Sequence, residues 1–123
     1  MKLHQSSIGT QNIVAGYGDD WVQVRNDRYQ HPILVFPQGD VLPWPVADFD
    51  ALSADHFASI LAQKPEIVIV GTGKRQRFLH PRLSSILLER RIGVEAMDTG
   101  AACRTYNILL AEGRNVAAAL LLP

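Results

Sequence analysis

The sequence has only one cysteine, Cys103, and no excess of charge of either sign. One thiol cannot form a disulfide within the chain, so nothing in the 123 residues indicates an oxidising compartment. Twelve Lys and Arg residues balance twelve Asp and Glu residues. A dedicated nucleic-acid-binding protein usually carries a basic excess that neutralises phosphates, so we predict no nucleic-acid partner. A local patch of Lys74, Arg75, Arg77 and Arg82 keeps nucleic-acid binding as the least favoured alternative.

Long hydrophobic runs are also lacking. The first seven residues are polar and contain no apolar stretch of the kind found in secretory signals. The longest apolar run, residues 116–122, is far too short to span a bilayer. We therefore predict no transmembrane segment and a cytoplasmic location.

The motifs of common catalytic and cofactor sites are missing as well. No Gly-x-Ser-x-Gly elbow occurs, although a Ser-His-Asp arrangement stays open because its members need not be close in the chain. The histidines have no metal-ligand spacing, and a lone thiol adds little. We expect no metal, no cofactor and no catalytic residue, and we favour a non-enzymatic protein. The four histidines are His4, His31, His56 and His80.

The composition predicts a packed fold. Hydrophobic residues make up 47% of the chain and charged residues 20%, which is close to the average for globular proteins. The length fits one domain over residues 1–123, in which residues 1–7 are expected to form a flexible tail. Periodicity and turn residues predict strands at 8–17, 21–25, 29–36, 66–70, 94–97 and 116–122, and helices at 53–63, 81–91 and 99–112. The prolines in 39–46 exclude a helix there and favour an extended or edge segment.

The order of these elements predicts an α/β fold. The second half alternates strand, helix, strand, helix and strand, which implies crossover connections and a largely parallel sheet. The first half is rich in strands, and Gly18, Asp19 and Asp20 have the chemistry of a hairpin turn. We predict a three-layer domain with a mixed, largely parallel central sheet, helices packed on it and an N-terminal antiparallel hairpin.

Two glycine loops form the candidate ligand site. Gly71-Thr72-Gly73 directly follows one buried strand, and Asp98-Thr99-Gly100 follows the next and opens a helix. Ligands of open α/β sheets tend to bind beyond the carboxyl ends of strands. If the two strands are neighbours, both loops lie at one edge of the sheet, and the helix N-terminus with Arg104 could bind an anion.

Each loop also has a purely structural interpretation. The first lacks the third glycine of a dinucleotide fingerprint and the Gly-Lys-Ser/Thr of a P-loop, so it fits an ordinary glycine turn with solvated basic residues. Asp98 or Thr99 is suited to cap the following helix, which is the more economical interpretation of the second loop.

Cys103, Trp44 and the last strand carry two interpretations each. Cys103 lies near a helix N-terminus, which could activate a thiol, but its small neighbours indicate close packing. Trp44, between Pro43 and Pro45, could present a rigid apolar surface to a partner or pack in the core, which we favour. Residues 116–122 fit a central strand, or an edge strand that a second copy covers in a homodimer.

The chain also resembles a known family through several segments taken together. Residues 93–107 read Gly-Val-Glu-Ala-Met-Asp-Thr-Gly-Ala-Ala-Cys-Arg-Thr-Tyr-Asn, and residues 112–120 read Glu-Gly-Arg-Asn-Val-Ala-Ala-Ala-Leu. With Val-Gly-Thr-Gly at 70–73 and Pro-Trp-Pro at 43–45, they are similar to a small family of domains of unknown function. That family includes mitochondrial respiratory complex I assembly factor 3, the adipogenesis-associated domain protein of animals and short stand-alone bacterial members. The similarity runs over residues 8–122, and this chain resembles the bacterial members.

The resemblance implies a three-layer α/β fold, no established enzymatic activity and no catalytic residues to transfer. Asp98, Thr99, Arg104 and Asn107 match the family pattern without an assigned role. The leading hypothesis is therefore a binding or assembly protein for a respiratory or membrane-associated complex, with an unidentified protein partner. The alternative is a small anionic ligand-binding protein or enzyme with its site at the two glycine loops.

Overall fold

Two sheets and three α-helices form residues 11–123, the part of the chain that the computed structural model describes. The predicted tail at 1–7 and the predicted start of the first strand at residue 8 lie outside these residues. The strands are β1 Val14–Gly18, β2 Trp21–Val24, β3 Asp27–Tyr29, β4 Ile33–Val35, β5 Leu42–Pro43, β6 Ile67–Gly71, β7 Gly93–Met97 and β8 Val116–Leu120. The α-helices are α1 Ala54–Ala58, α2 Pro81–Leu88 and α3 Thr99–Ala111, and 3-10 turns cover Phe49–Ala51 and Leu61–Gln63.

The smaller sheet contains the predicted hairpin. β1 and β2 are antiparallel, with Gly18 opposite Trp21 across the two-residue turn. The Trp21 indole occupies the space that a Cβ at Gly18 would need, which explains the glycine at this turn. β3 extends the hairpin to three strands. The sequence analysis had merged β3 with β4, which is a separate strand of the larger sheet.

The larger sheet is mixed, as the sequence predicted. Its order is β5-β4-β8-β6-β7, in which β6 is parallel to both β8 and β7, while β4 is antiparallel to β8 and β5. β8 is thus a central strand, and the interpretation of residues 116–122 as an edge that a second copy covers is wrong. The predicted buried strand at 94–97 is instead an edge strand, and its residues are only partly covered.

Side chains alternate between the two faces of the larger sheet and build a core on each. Val68 and Val70 of β6 face one core together with Phe57 and Leu87 from α1 and α2. Ile69 faces the other core, which contains α3 and the smaller sheet. The result is the predicted three-layer arrangement, in which the sheet is covered by α1 and α2 on one face and by α3 with the smaller sheet on the other.

The first predicted helix, residues 53–63, is shorter than its apolar spacing indicates. A continuing helix would bond the Ile60 N–H to the His56 carbonyl. That carbonyl instead accepts hydrogen bonds from Ser59 Oγ at 2.9 Å and Trp44 Nε1 at 3.0 Å, and the Ile60 N–H bonds to Phe57 in 3-10 geometry. A side chain distant in sequence therefore ends α1.

Two side chains of α3 attach the smaller sheet to the larger one. The Asn107 amide accepts a hydrogen bond from the Val14 N–H at 3.0 Å and donates one to the Val14 carbonyl at 2.8 Å, as a neighbouring strand would. Tyr106 is buried and donates to the Asn12 carbonyl at 2.8 Å, while the Asn12 amide donates to the Phe36 carbonyl at 2.9 Å. α3 thus holds the start of β1 in place.

Candidate functional site

The structure brings the two glycine loops together. β6 and β7 are parallel neighbours with Gly71 opposite Met97, so both loops leave the sheet at the same edge. The Gly73 N–H donates to Thr99 Oγ1 at 2.9 Å, and the Thr99 N–H donates to the Gly73 carbonyl at 2.9 Å. A Cβ at Gly71 would lie 2.8 Å from Thr99 Oγ1, so the glycine permits this close approach.

The two threonines of these loops hold backbone segments and do not present free hydroxyls. Thr99 is buried, and its hydroxyl also donates to the Leu121 carbonyl at 2.8 Å. Thr72 is buried as well, with its Oγ1 lying 2.7 Å from the Arg75 carbonyl and accepting from the Arg77 N–H at 3.1 Å. Both threonines therefore position the loops.

The N-terminus of α3 is largely closed by the protein itself. Asp98 is the N-cap, and its carboxylate accepts from the Ala101 N–H at 2.9 Å. The Tyr17 ring lies over Gly100, so a Cβ at position 100 would be within 3.1 Å of three atoms of the Tyr17 side chain. The capping role predicted for Asp98 is thus observed, and an anion would have to displace these contacts to reach the amides.

A surface depression of about 410 Å³ remains beside the two loops. Arg104 is exposed there and donates a hydrogen bond to the Tyr17 hydroxyl. The cations and carboxylates at the depression are balanced, so its charge does not strongly select for an anion. The lining consists of Tyr17, Asp19, Gly73, Lys74, Asp98, Gly100, Arg104 and Pro123.

Trp44 belongs to the core, which corrects its candidacy as a partner-binding side chain. Only 1% of it is exposed, and its ring packs edge-on against Phe57 with centroids 5.8 Å apart. The core position is the interpretation that the sequence analysis favoured over a rigid exposed aromatic between the two prolines. The hydrogen bond from its indole N–H to the His56 carbonyl satisfies the polar atom, which makes complete burial favourable.

Cys103 is buried in the core between α3 and the larger sheet. Burial raises the pKa of its thiol to about 12, although the nearby Arg104 cation acts in the opposite direction. Desolvation therefore outweighs the effect of the Arg104 cation and favours the neutral thiol, which is buried. This geometry favours the packing interpretation of Cys103.

A second surface lies at the edge of β7 that no other strand within residues 11–123 covers, and the sequence analysis missed it. A groove of about 280 Å³ runs beside the strand between Val94 and Ala96 of β7 and Leu88 of α2. Phe78 borders it and is 79% exposed, while Leu88 is 52% exposed. The available signal was Phe78 itself, a large aromatic in a stretch of basic and polar residues with no helical or strand period.

Two features are absent within residues 11–123, a cluster of metal ligands and a membrane-spanning helix. No group of three or more His, Cys, Asp or Glu side chains in this range is placed to hold a metal ion. None of the helices in the same range has the length and hydrophobicity of a membrane span.

Comparison with known proteins places most of the chain within one family. Residues 14–121 match a family described as "Protein of unknown function (DUF498/DUF598)". The chain is similar to a mouse protein named NADH dehydrogenase [ubiquinone] 1 alpha subcomplex assembly factor 3, with 33% identity over 125 residues. That alignment covers 100% of this chain and 67% of the mouse protein, and the bovine counterpart is covered to 60%.

Bacterial proteins are similar as well. A Francisella tularensis protein named 13 kDa major membrane protein is 38% identical over 93 residues, which cover 72% of this chain and 73% of that protein. A crystal structure of a Bordetella parapertussis protein superposes with a TM-score of 0.86 at 45% identity. It covers 93% of this chain and 98% of the other, so the fold described above is one that a relative adopts experimentally.

Proposed function

Because the chain belongs to the family described as Protein of unknown function (DUF498/DUF598), we propose that it is a binding protein that aids assembly of a respiratory or membrane-associated complex. One observation carries this proposal. The similarity to the mouse protein named as an NADH dehydrogenase assembly factor covers the whole of this chain. The shared region is therefore a complete sheet-and-helix unit rather than an isolated motif.

The geometry supports binding more than covalent catalysis. The only thiol in the sequence is buried with a raised pKa, and the threonines at the glycine loops are used to hold backbone. The groove beside β7, in contrast, leaves large apolar side chains in solvent, as surfaces that bind partners commonly do. We propose a cytoplasmic protein that acts on a complex at the membrane, which accords with the name of the Francisella relative.

Deletion of the gene in the organism that encodes the chain tests this proposal. Native gel electrophoresis of solubilised membranes would follow the assembled NADH dehydrogenase, and NADH:quinone activity would be measured in parallel. We expect subcomplexes to accumulate and activity to fall, with both restored by the gene supplied in trans. Unchanged assembly of all respiratory complexes in the deletion strain would refute the proposal.

A second candidate function rests on the convergence of the two glycine loops. Lys74 and Arg104 line the depression beside them, and Asp19 and Asp98 balance their charge. We propose a small anionic ligand, held by these two cations, as the alternative. Titration of isotopically labelled protein with inorganic phosphate and with a nucleoside triphosphate tests it. Binding requires saturable shifts at Gly73 and Gly100 that the Arg104→Gln variant loses. Shifts spread over all basic residues would indicate only non-specific electrostatic association of the anion with the surface and would reject this candidate.

A further inference from the structure

The β7 edge of the larger sheet is open among the described residues. In the parallel ladder the Gly93 N–H bonds to the Glu66 carbonyl and the Met97 carbonyl accepts from the Thr72 N–H, so the odd-numbered residues of β7 face β6. Because a strand alternates, the N–H and C=O groups of Val94 and Ala96 point away from the sheet. β7 ends the strand order, so no strand within residues 11–123 pairs with these groups.

The opposite edge of the same sheet is protected. β5 has only two residues, and one of them is Pro43, which has no N–H to offer to another strand. Short strands and proline are the usual means by which proteins prevent pairing at a sheet edge. β7 has five residues and no proline, so it is the edge that can accept a further strand.

The groove described above lies beside this edge. On the face of the sheet that packs against α2, Val94 and Ala96 lie next to the exposed side chains of Phe78 and Leu88. A strand added to β7 would point every second side chain to this face. Alternate apolar side chains on the added strand would therefore bury Phe78 and Leu88, while its backbone satisfies the open edge.

Positive charge surrounds both ends of β7. Lys74 and Arg75 follow β6 in the loop beside the end of β7, and Arg90 and Arg91 precede the strand. All four side chains are exposed. The ion pairs within residues 11–123 are Arg77 with Asp50 and Arg114 with Glu66. Lys74, Arg75, Arg90 and Arg91 therefore have no ion-pair partner within those residues. The carboxylates at the same two ends are Glu89, Glu95 and Asp98, and Asp98 also caps α3, so the unpaired cations outnumber the carboxylates around the edge by a small margin.

We propose that the β7 edge binds an extended acidic segment of a partner protein, which adds to the sheet as a sixth strand and places alternate apolar side chains in the groove of Phe78 and Leu88. This inference rests on the proposed function and names the surface through which the protein binds. A second copy of this chain fits less well, because a symmetric pairing of two β7 edges would bring the cations of both copies together.

Two synthetic nine-residue peptides test the inference on the full-length protein. The acidic probe is Asp-Glu-Val-Thr-Val-Thr-Ile-Glu-Asp, and its counterpart replaces the four acidic residues by Lys and Arg. Fluorescence anisotropy of labelled peptides measures affinity. We expect the acidic probe to bind about tenfold more tightly or better at low salt. In hydrogen exchange, the Val94 and Ala96 amides should become protected on binding.

The variant Phe78→Ser/Leu88→Ser should weaken binding of the acidic probe about tenfold, since it removes the apolar contacts. Both side chains are exposed, so their loss leaves no cavity, and thermal unfolding checks that the fold is kept. Ile13→Ser, which replaces an exposed apolar side chain directly before β1, is the matched control and should bind normally. An acidic probe with N-methylated central residues should not bind, because it cannot pair with the strand.

Several results would overturn the inference. The first two are absence of binding and equal binding of both peptides. The third is binding that leaves the Val94 and Ala96 amides unprotected. The fourth is protection of these amides in the absence of peptide that disappears on dilution, which would show that a second copy of this chain covers the edge. The deletion phenotype separates this inference from the proposed function. If the Phe78→Ser/Leu88→Ser gene restores complex assembly fully, the partner binds elsewhere and the assembly function stands. If deletion leaves assembly intact while the acidic probe binds at β7, the surface stands and the assembly function fails.

Discussion

Substitution of Asn107 by Ala should destabilise the protein by an amount that its two hydrogen bonds predict. The side chain pairs with both the N–H and the C=O of Val14, and Val14 is buried. An unsatisfied buried backbone group costs about 1–3 kcal/mol. The site is only partly buried, so water recovers some of this cost, and we expect a total loss of about 2–4 kcal/mol. That is a large share of the roughly 5–15 kcal/mol by which domains are stable.

Asn107→Asp separates the two bonds. The introduced carboxylate can still accept from the Val14 N–H but faces the Val14 carbonyl with a negative oxygen, so the pKa of this carboxyl should rise in the folded state. As the pH falls, the carboxyl becomes protonated and can donate to the Val14 carbonyl. The free energy of unfolding of Asn107→Asp should therefore rise relative to that of Asn107→Ala.

Urea unfolding followed by tryptophan fluorescence measures these losses, since Trp44 is buried and reports on the core. Asn115→Ala is the matched control, because the Asn115 amide donates one exposed hydrogen bond to the Lys64 carbonyl. We expect that control to cost less than about 1 kcal/mol. If Asn107→Ala costs no more than the control, α3 does not hold β1 through this amide and the reasoning is refuted.

The remaining predictions concern positions in and near the core. Gly71→Ala should cost about 1–3 kcal/mol in urea unfolding, because the added methyl meets Thr99, whereas Gly93→Ala, with more space, should be nearly neutral. Trp44→Ala should lower the free energy of unfolding by about 3–5 kcal/mol, and a loss below about 1 kcal/mol would contradict the burial of Trp44. Cys103 should react with iodoacetamide at pH 8 only after unfolding. Because burial raises the pKa of the Cys103 thiol in the folded state to about 12, above its ordinary value of 9.0, the unfolded chain loses this proton first. The free energy of unfolding should therefore fall as the pH rises above about 9.

The sequence predicted what local patterns determine. The nearly continuous β-branched run that contains β6 indicated a strand covered on both faces, and both cores include its residues. The alternation of strands and helices indicated a parallel sheet but left its strand order open. The structure places β6 beside β7, which meets the condition under which the two glycine loops converge. Asp98 capped its helix because the rule for N-caps depends on residues that are adjacent in sequence.

What the sequence missed depends on partners distant in the chain. The early end of α1 results from a hydrogen bond between Trp44 and His56, twelve positions apart, and the attachment of β1 results from Asn107 and Val14. No period or spacing in the sequence reveals such pairs. The openness of β7 also depends on strand order, because a run such as residues 94–97 is equally compatible with a central or an edge position.

The central position of β8 affects how the chain can fold during synthesis. β8 lies between β4 and β6, although it leaves the ribosome after the other seven strands described in residues 11–123. Until residues 116–120 emerge, the pair β4–β5 and the pair β6–β7 have no common neighbour, and the apolar faces on both sides of the missing strand stay uncovered. The sheet therefore closes in a late step that joins β4 and β8 across most of the chain. Nascent chains that pause before this strand expose surfaces that chaperones and proteases recognise.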